Sequence, residues 1–139
     1  MHLISTDDPS MQFAYTIHYV ADVEASLAFF EAAFGLTRRF VAPGGGYGEL
    51  ETGATALAFA QHDTARGNLG HDYVVAATST APLGVEIGLA TGDVAAACER
   101  AVAAGATLLK APATKPWGQT VAYVRCPDGS LVELCTPMA

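Results

Sequence analysis

The first half of the chain shows a strand-like hydrophobic pattern followed by a helix-like one. Residues 13–20 (FAYTIHYV) are rich in aromatic and β-branched side chains, which predicts a β-strand. Asp22 is a good N-cap, and apolar residues recur after it at helical spacing until Gly35, so we expect a helix over about residues 23–34. Three further short strands are predicted, in LTRRFVA, GYGELET and ATALAFA.

The second half repeats this order of elements. The segment VEIGLAT predicts a strand, Asp93 caps a second amphipathic helix, and Gly105 ends that helix. Three more strands are predicted in TLLKA, TVAYVRC and SLVELC. The repeating unit is therefore a βαβββ module that occurs twice, at about residues 12–61 and 83–137. Residues 62–82 have no clear periodicity, and we expect them to join the modules as a mobile surface segment.

Length and composition restrict the class of protein. With 139 residues, 51% of them hydrophobic and 15% charged, the chain predicts one compact domain over residues 1–139. A net charge of −7 disfavours nucleic acid and anionic membrane surfaces as partners. The opening residues MHLISTDDPS lack the apolar stretch of a secretory signal, so we expect a cytoplasmic location. The three cysteines show no paired spacing, which argues against a disulfide framework or a zinc site.

Three segments resemble the glyoxalase/bleomycin-resistance/dioxygenase superfamily, also called the vicinal oxygen chelate superfamily. Residues 22–36 (DVEASLAFFEAAFGL) are similar to its first helix, with Phe34 where a leucine is usual. Residues 123–134 (YVRCPDGSLVEL) are similar to its closing hairpin, with Cys126 in place of the first aspartate of the turn. Residues 116–124 (PWGQTVAYV) resemble the approach to its penultimate strand. With the duplication, the likeness spans about residues 12–137 and is specific for fold rather than for function.

The resemblance implies an α+β fold in which two βαβββ modules form a cup of curved, mixed sheet, with the helices on the outer face. Metal-dependent members of the family place ligands on the first and last strand of each module. The corresponding positions here are Tyr15 and Ala58 in the first module and Glu86 and Glu133 in the second. Because histidine is missing from these positions and alanine offers no donor, we expect no metal centre of the usual kind. A divalent ion held by the two glutamates and water is the alternative.

Side-chain alternation gives the expected cup its chemical character. Tyr15 and Tyr19 share one face of the first strand, and this aromatic wall suits a planar ligand, while Ala58 leaves space for it. Two carboxyls in an apolar cup raise each other's proton affinity, so Glu86 and Glu133 are candidate catalytic residues that move a proton or pair with a ligand cation. The alternative is that both are ordinary solvent-facing residues of their strands.

Three more residues have two interpretations each. Trp117 and Gln119 are candidate ligand contacts at the rim of the cup, whereas the alternative packs the tryptophan ring against the module interface. His18 alternates with Tyr15 and should face the first helix as a hydrogen-bonded core histidine. A slip of one residue in the strand register would instead place His18 in the cup and restore the case for a metal.

The leading hypothesis is a protein that binds a small aromatic or cationic molecule in the cup, without the usual metal centre, as in the bleomycin-resistance branch of the family. The alternative is a lyase or isomerase of glyoxalase type that uses Glu86 and Glu133 around a divalent ion. A dioxygenase is disfavoured because the four positions contain no histidine. Whether the protein is an enzyme stays open. The resemblance also implies a homodimer.

Overall fold

Each half of the chain folds into a four-stranded mixed sheet with a helix packed on one face. The computed structural model describes residues 5–138. The expected cytoplasmic location was inferred from residues 1–10, and residues 1–4 of that segment lie outside the described residues. Among residues 5–138, none of the helices combines the length and the hydropathy of a membrane-spanning segment.

The first module contains one helix and four strands. They are β1 (Tyr15–Val20), α1 (Val23–Phe34), β2 (Thr37–Val41), β3 (Tyr47–Glu51) and β4 (Ala56–Gln61). The strand order is β1-β4-β3-β2, with β1 parallel to β4 and the other pairs antiparallel. The Asp22 carboxylate accepts a hydrogen bond from the Ala25 backbone N–H at 3.0 Å, and Gly35 ends the helix with a φ of 69°. The predicted helix is therefore confirmed at both ends.

The linker between the modules has more regular structure than the sequence indicated. Residues His62–Leu69 form a helix, α2, and Ala76–Thr78 form a single 3₁₀ turn. The sequence pattern did not predict this helix, whose N-terminus is capped by the Gln61 side chain, which accepts a hydrogen bond from the Asp63 backbone N–H at 2.7 Å. Only Ala65 of this helix is buried, so its hydrophobic periodicity is too weak to be recognised.

The second module has the same order of elements as the first. They are β5 (Glu86–Ala90), α3 (Val94–Ala104), β6 (Thr107–Thr114), β7 (Thr120–Arg125) and β8 (Leu131–Cys135). The strand order is β5-β8-β7-β6, again with the first and last strands parallel. Asp93 caps α3 by accepting from the Ala96 backbone N–H at 3.0 Å. The predicted α+β fold of two βαβββ modules is confirmed.

The hydrophobic core lies on the helix-facing sides of both sheets. Helices α1 and α3 pack against each other, and buried residues from the two modules form one cluster. Phe30 of α1 and Phe59 of β4 are fully buried in it, with ring centroids 5.1 Å apart. Burial of each such side chain contributes about 1.5–3 kcal/mol relative to exposure. The opposite faces of the sheets are therefore free to carry polar groups.

The register of β1 follows the predicted alternation. His18 lies opposite Phe59, with the two rings 6.0 Å apart, and Phe59 packs against α1. His18 is consequently on the helix-facing side of the sheet, whereas Tyr15 and Ile17 lie on the other face.

Gly129 allows the linker backbone to approach the second module closely. It occupies the β7–β8 turn with a φ of 90°, and a Cβ added there would clash with the backbone carbonyl of Ala76. Gly53, in the equivalent β3–β4 turn, has a φ of 93°, but a Cβ added there would meet no other atom within 4 Å. The two glycines therefore share a backbone conformation and differ in what they touch.

Replacing Gly129 with alanine should lower the free energy of unfolding by about 2–4 kcal/mol, because backbone strain and a backbone clash add together. The matched variant Gly53→Ala should lose only about 1–2 kcal/mol, from the strain alone. Urea unfolding followed by circular dichroism measures both values. Equal losses would show that the linker turn moves away from Gly129 freely.

Candidate functional site

A pair of carboxyl groups lies on the open face of the second sheet. Glu86 begins β5, and the parallel register places Gly88 beside Glu133 of β8, so the two glutamates share a face. Their carboxyl groups lie within hydrogen-bonding reach of each other. Tyr123, opposite Glu133 on β7, donates its hydroxyl hydrogen to Oε2 of Glu133 at 2.7 Å. Two acids and one phenol therefore form a connected group.

The surroundings of this pair favour an uncharged Glu86. Partial burial, repulsion from Glu133 and hydrogen bonding to it all raise the pKa of Glu86 above its ordinary value. The hydrogen bond to Glu133, together with burial, raises the pKa of Tyr123 to about 12, so this phenol stays a hydrogen-bond donor at neutral pH. Burial and the neighbouring acids also raise the pKa of the Cys135 thiol, which makes it a poor nucleophile.

The first sheet carries a different polar cluster at the corresponding place. The Tyr47 hydroxyl donates to Oε2 of Glu49 at 2.6 Å. Arg39 lies 3.5 Å from Glu49 and 3.3 Å from Glu51, so the acids on this sheet are balanced by a cation. Burial and the bond to Glu49 raise the pKa of Tyr47. This sheet therefore offers no unbalanced pair of acids among its described residues.

A cavity of about 560 Å³ lies between the two modules. Its long walls are residues 16–19 of β1 and residues 86–89 of β5, each the edge strand of its own sheet. The linker and the β3–β4 and β7–β8 turns complete the lining. Glu86 lies on one wall, and on the other the Tyr19 ring packs against Tyr73 of the linker, with centroids 4.8 Å apart. The cavity thus combines an acid, paired aromatic rings and apolar walls.

The linker wall of this cavity is anchored at two points. The Tyr73 hydroxyl lies 2.5 Å from Nδ1 of His62, and the Arg66 guanidinium carbon lies 5.0 Å from the centre of the Tyr73 ring. Arg125 of β7 donates to the backbone carbonyls of Ala76 and Ser79, at 2.8 and 2.9 Å. These contacts hold the linker in a defined position over the cavity.

Comparisons with known proteins agree with this architecture. A family model described as the glyoxalase/bleomycin resistance protein/dioxygenase superfamily matches residues 12–134. The chain belongs to this superfamily. Among curated proteins, none is significantly similar in sequence.

Solved structures of the superfamily show the same fold. A glyoxalase-related enzyme from Fulvimarina pelagi is 25% identical over 92% of this chain and 89% of its own, with a TM-score of 0.79. A glyoxalase/bleomycin resistance protein/dioxygenase family enzyme from Burkholderia phytofirmans is 21% identical over 91% of this chain and 98% of its own, with a TM-score of 0.76. The second likeness concerns the fold alone.

The residues present do not fit the four-ligand metal centre known in the superfamily. Within residues 5–138, no three His, Cys, Asp or Glu side chains come together in a way that could hold an ion. Glu86 and Glu133 provide two carboxyls, and Tyr123 keeps its proton and so is a donor rather than a ligand. Two carboxylates suffice only for an ion such as Mg²⁺ that retains most of its water.

The structure brings some of the sequence-predicted site residues together and separates others. Glu86 and Tyr19 line the cavity, and Glu133 contacts Glu86. Tyr15, 48% exposed, and Ala58, fully buried, lie on the first sheet, and Ala58 therefore has no surface to offer a ligand.

Trp117 and Gln119 lie near the β6–β7 turn. The Trp117 ring is 63% exposed, so the alternative that packs it against the module interface is wrong. Its indole N–H donates to Oε1 of Gln119 at 2.8 Å, and Nε2 of Gln119 donates to the Thr136 carbonyl at 2.8 Å. The Gln119 amide is consequently already engaged within the protein.

Sequence reasoning missed two residues of the candidate site. Tyr123 could have been found, because it lies as far before Asp128 as Glu133 lies after it, and a hairpin turn at Asp128 therefore pairs them. Tyr73 could not have been found, because it lies in the linker and no strand or helix periodicity places it against Tyr19.

Replacing Glu86 with glutamine should raise the free energy of unfolding at pH 8, by less than about 1 kcal/mol because Glu86 is exposed. Folding raises the pKa of Glu86. The wild-type free energy of unfolding therefore decreases as the pH rises through that pKa and Glu86 becomes charged, whereas glutamine has no charge to lose or gain. The gain should therefore vanish as the pH falls toward the ordinary range of a carboxyl group. Urea unfolding at several pH values tests this, with the exposed Glu99→Gln on α3 as control. A lower stability of the Glu86 variant at pH 8 would contradict the repulsion.

Proposed function

We propose that the chain binds a small planar organic cation in the cavity between the modules, without a metal ion. The observation that carries the proposal is the position of Glu86, which lies on the cavity wall while its carboxyl contacts Glu133. A cation bound beside Glu86 offsets the repulsion between the two acids and is itself attracted by their negative charge. The cavity volume of about 560 Å³ falls within the range of about 300–1,000 Å³ found for small-molecule sites.

The aromatic wall supports a planar ligand. Tyr19 and Tyr73 are both partly buried, their rings are in contact, and both residues line the cavity. A cation near such a ring is stabilised by about 0.5–2 kcal/mol, depending on how far it is desolvated. The net charge of −7 adds a long-range attraction that raises the rate of association with cations at low salt.

Titration with proflavine, a planar fluorescent cation, should show saturable binding of one molecule per chain. Glu86→Gln should weaken the affinity about fivefold, because one exposed charge pair contributes up to about 1 kcal/mol. Added salt should weaken binding to the wild-type protein more than binding to this variant, because salt screens the attraction between the cation and Glu86, which the variant lacks. Glu99→Gln, which changes a carboxyl outside the cavity, should leave the affinity unchanged.

A glyoxalase-type lyase or isomerase is the second candidate, and the proximity of Glu86 to Glu133 is the observation in its favour. Elemental analysis of the purified protein distinguishes the two candidates. A divalent ion bound at one per chain, and lost in both Glu86→Gln and Glu133→Gln, would replace the metal-free proposal. A dioxygenase lacks support because no histidine lies with these acids among the described residues.

We further propose that the protein acts in the cytoplasm as a homodimer. Met11, Phe13 and Tyr15 are 99%, 67% and 48% exposed, and they recur at every second residue along the segment that leads into the edge strand β1. An apolar row beside an unpaired strand edge is unfavourable in water, and a second copy of the chain would cover it.

Sedimentation velocity should therefore give twice the monomer mass. Phe13→Asp should shift the protein toward the monomer, because it places a charge within the apolar row. Leu69→Asp, a matched change at an exposed leucine at the end of α2, should leave the dimer intact. A monomeric wild-type protein at high concentration would contradict the proposal.

A further inference from the structure

His18 packs against the core beside the cavity between the modules. Its ring packs against Phe59, which is fully buried and in turn contacts Phe30 of α1. His18 itself is only partly buried, and it contributes to the cavity lining together with its neighbours on β1. His18 therefore contacts the core through its ring and also belongs to the wall of the cavity.

The ring nitrogens of His18 have no hydrogen-bond partner in the described part of the chain, contrary to the expectation of a hydrogen-bonded core histidine. The nearby carboxylate of Asp128 is engaged elsewhere. Its Oδ2 accepts from the Ser26 hydroxyl at 3.3 Å, and its Oδ1 accepts from the Ser130 backbone N–H at 2.9 Å. Polar groups that are partly withdrawn from solvent usually bond to protein, water or ligand, and only the latter two are left for His18.

The local environment favours the neutral imidazole. Burial lowers the pKa of His18, and this effect outweighs the opposing attraction of Asp128. A neutral imidazole has one N–H donor and one nitrogen that accepts a hydrogen bond. At neutral pH His18 therefore has one nitrogen that can accept a hydrogen bond, and this residue lies on the cavity wall opposite Glu86.

We propose that His18 binds the ligand of this cavity by accepting a hydrogen bond from an N–H or O–H group of that ligand. The inference rests on the proposed function, since it concerns the same cavity, and it narrows the ligand class. Glu86 attracts any cation and the tyrosines stack on any planar ring, but an acceptor at His18 favours cations that carry donors, such as amino-substituted aromatic cations, over quaternary ones. A ligand N–H or O–H group would also replace a water molecule as the hydrogen-bond donor to the imidazole.

The experiment compares two planar cations of similar shape. Proflavine carries amino N–H donors, whereas N-methylacridinium has none. Affinities are measured by fluorescence titration for the wild-type protein and for His18→Phe, which keeps a ring against Phe59 but removes the acceptor. His18→Gln restores an acceptor, and His71→Phe changes an exposed histidine outside the cavity. Thermal unfolding by circular dichroism confirms that each variant is folded.

His18→Phe should weaken proflavine binding about tenfold, the effect of one hydrogen bond to a charged group, and should change N-methylacridinium binding less than about twofold. His18→Gln should recover most of the proflavine affinity, and His71→Phe should match the wild-type protein. An equal loss of affinity for both cations would show that His18 acts only through packing. No loss of affinity for either cation would show that His18 does not contact the ligand. Both results overturn the inference and leave the proposed function intact. If the wild-type protein binds neither cation, the proposed function fails and this inference fails with it.

Discussion

The packing of α1 against α3 joins the two modules. Each helix covers the inner face of its own sheet, and their mutual contact merges the two halves into one hydrophobic core. A hydrogen bond from Nε of Arg100 on α3 to the Ala32 carbonyl on α1, at 2.8 Å, adds a directional contact between them. Because the modules are joined through their helices, the edge strands β1 and β5 need not pair. The cavity occupies the space between these two unpaired edges.

Duplication gave the two sheets equivalent positions that now hold different chemistry. In the parallel register, Tyr15 lies beside Ala56 as Glu86 lies beside Leu131, so Tyr15 and Glu86 are equivalent. By the same register Ala58 corresponds to Glu133. Each sheet retains a tyrosine that donates to a glutamate, but of the described residues only those of the first sheet balance their acids with a nearby arginine. The backbone therefore fixes where a polar group can lie, and the side chains decide the charge that it carries.

The sequence was sufficient to predict those parts of the fold that depend on local signals. Asp22 with Gly35, and Asp93 with Gly105, mark both ends of their helices, and the structure confirms these bounds. Alternation along β1 likewise predicts the correct faces for Tyr15 and His18. These predictions succeed because capping and strand alternation involve residues close together in the chain.

Other features depend on how distant segments meet, and the sequence could not supply them. The cavity between the modules requires the relative position of β1, β5 and the linker, and no periodicity encodes this. The contact of Tyr73 with Tyr19 and the Arg125 bonds to the linker carbonyls join residues far apart in the chain, so local patterns do not predict them. For the same reason, alternation places His18 correctly on the helix-facing side but does not identify it as part of a cavity wall.

The acid pair is the feature whose presence the fold does not require. Two glutamates on neighbouring strands repel each other when charged, and a hydrophobic or neutral pair at these positions would satisfy the sheet equally well, as Tyr15 and Ala58 do in the first module. A locally unfavourable arrangement that persists beside a cavity is typical of a binding or catalytic site, where a ligand supplies the missing compensation. Since no cationic side chain within residues 5–138 balances the pair as Arg39 balances Glu49 and Glu51, the compensating group is expected from outside the chain. A positively charged ligand meets this requirement, because its charge favours the ionised form of Glu86 and offsets the repulsion from Glu133.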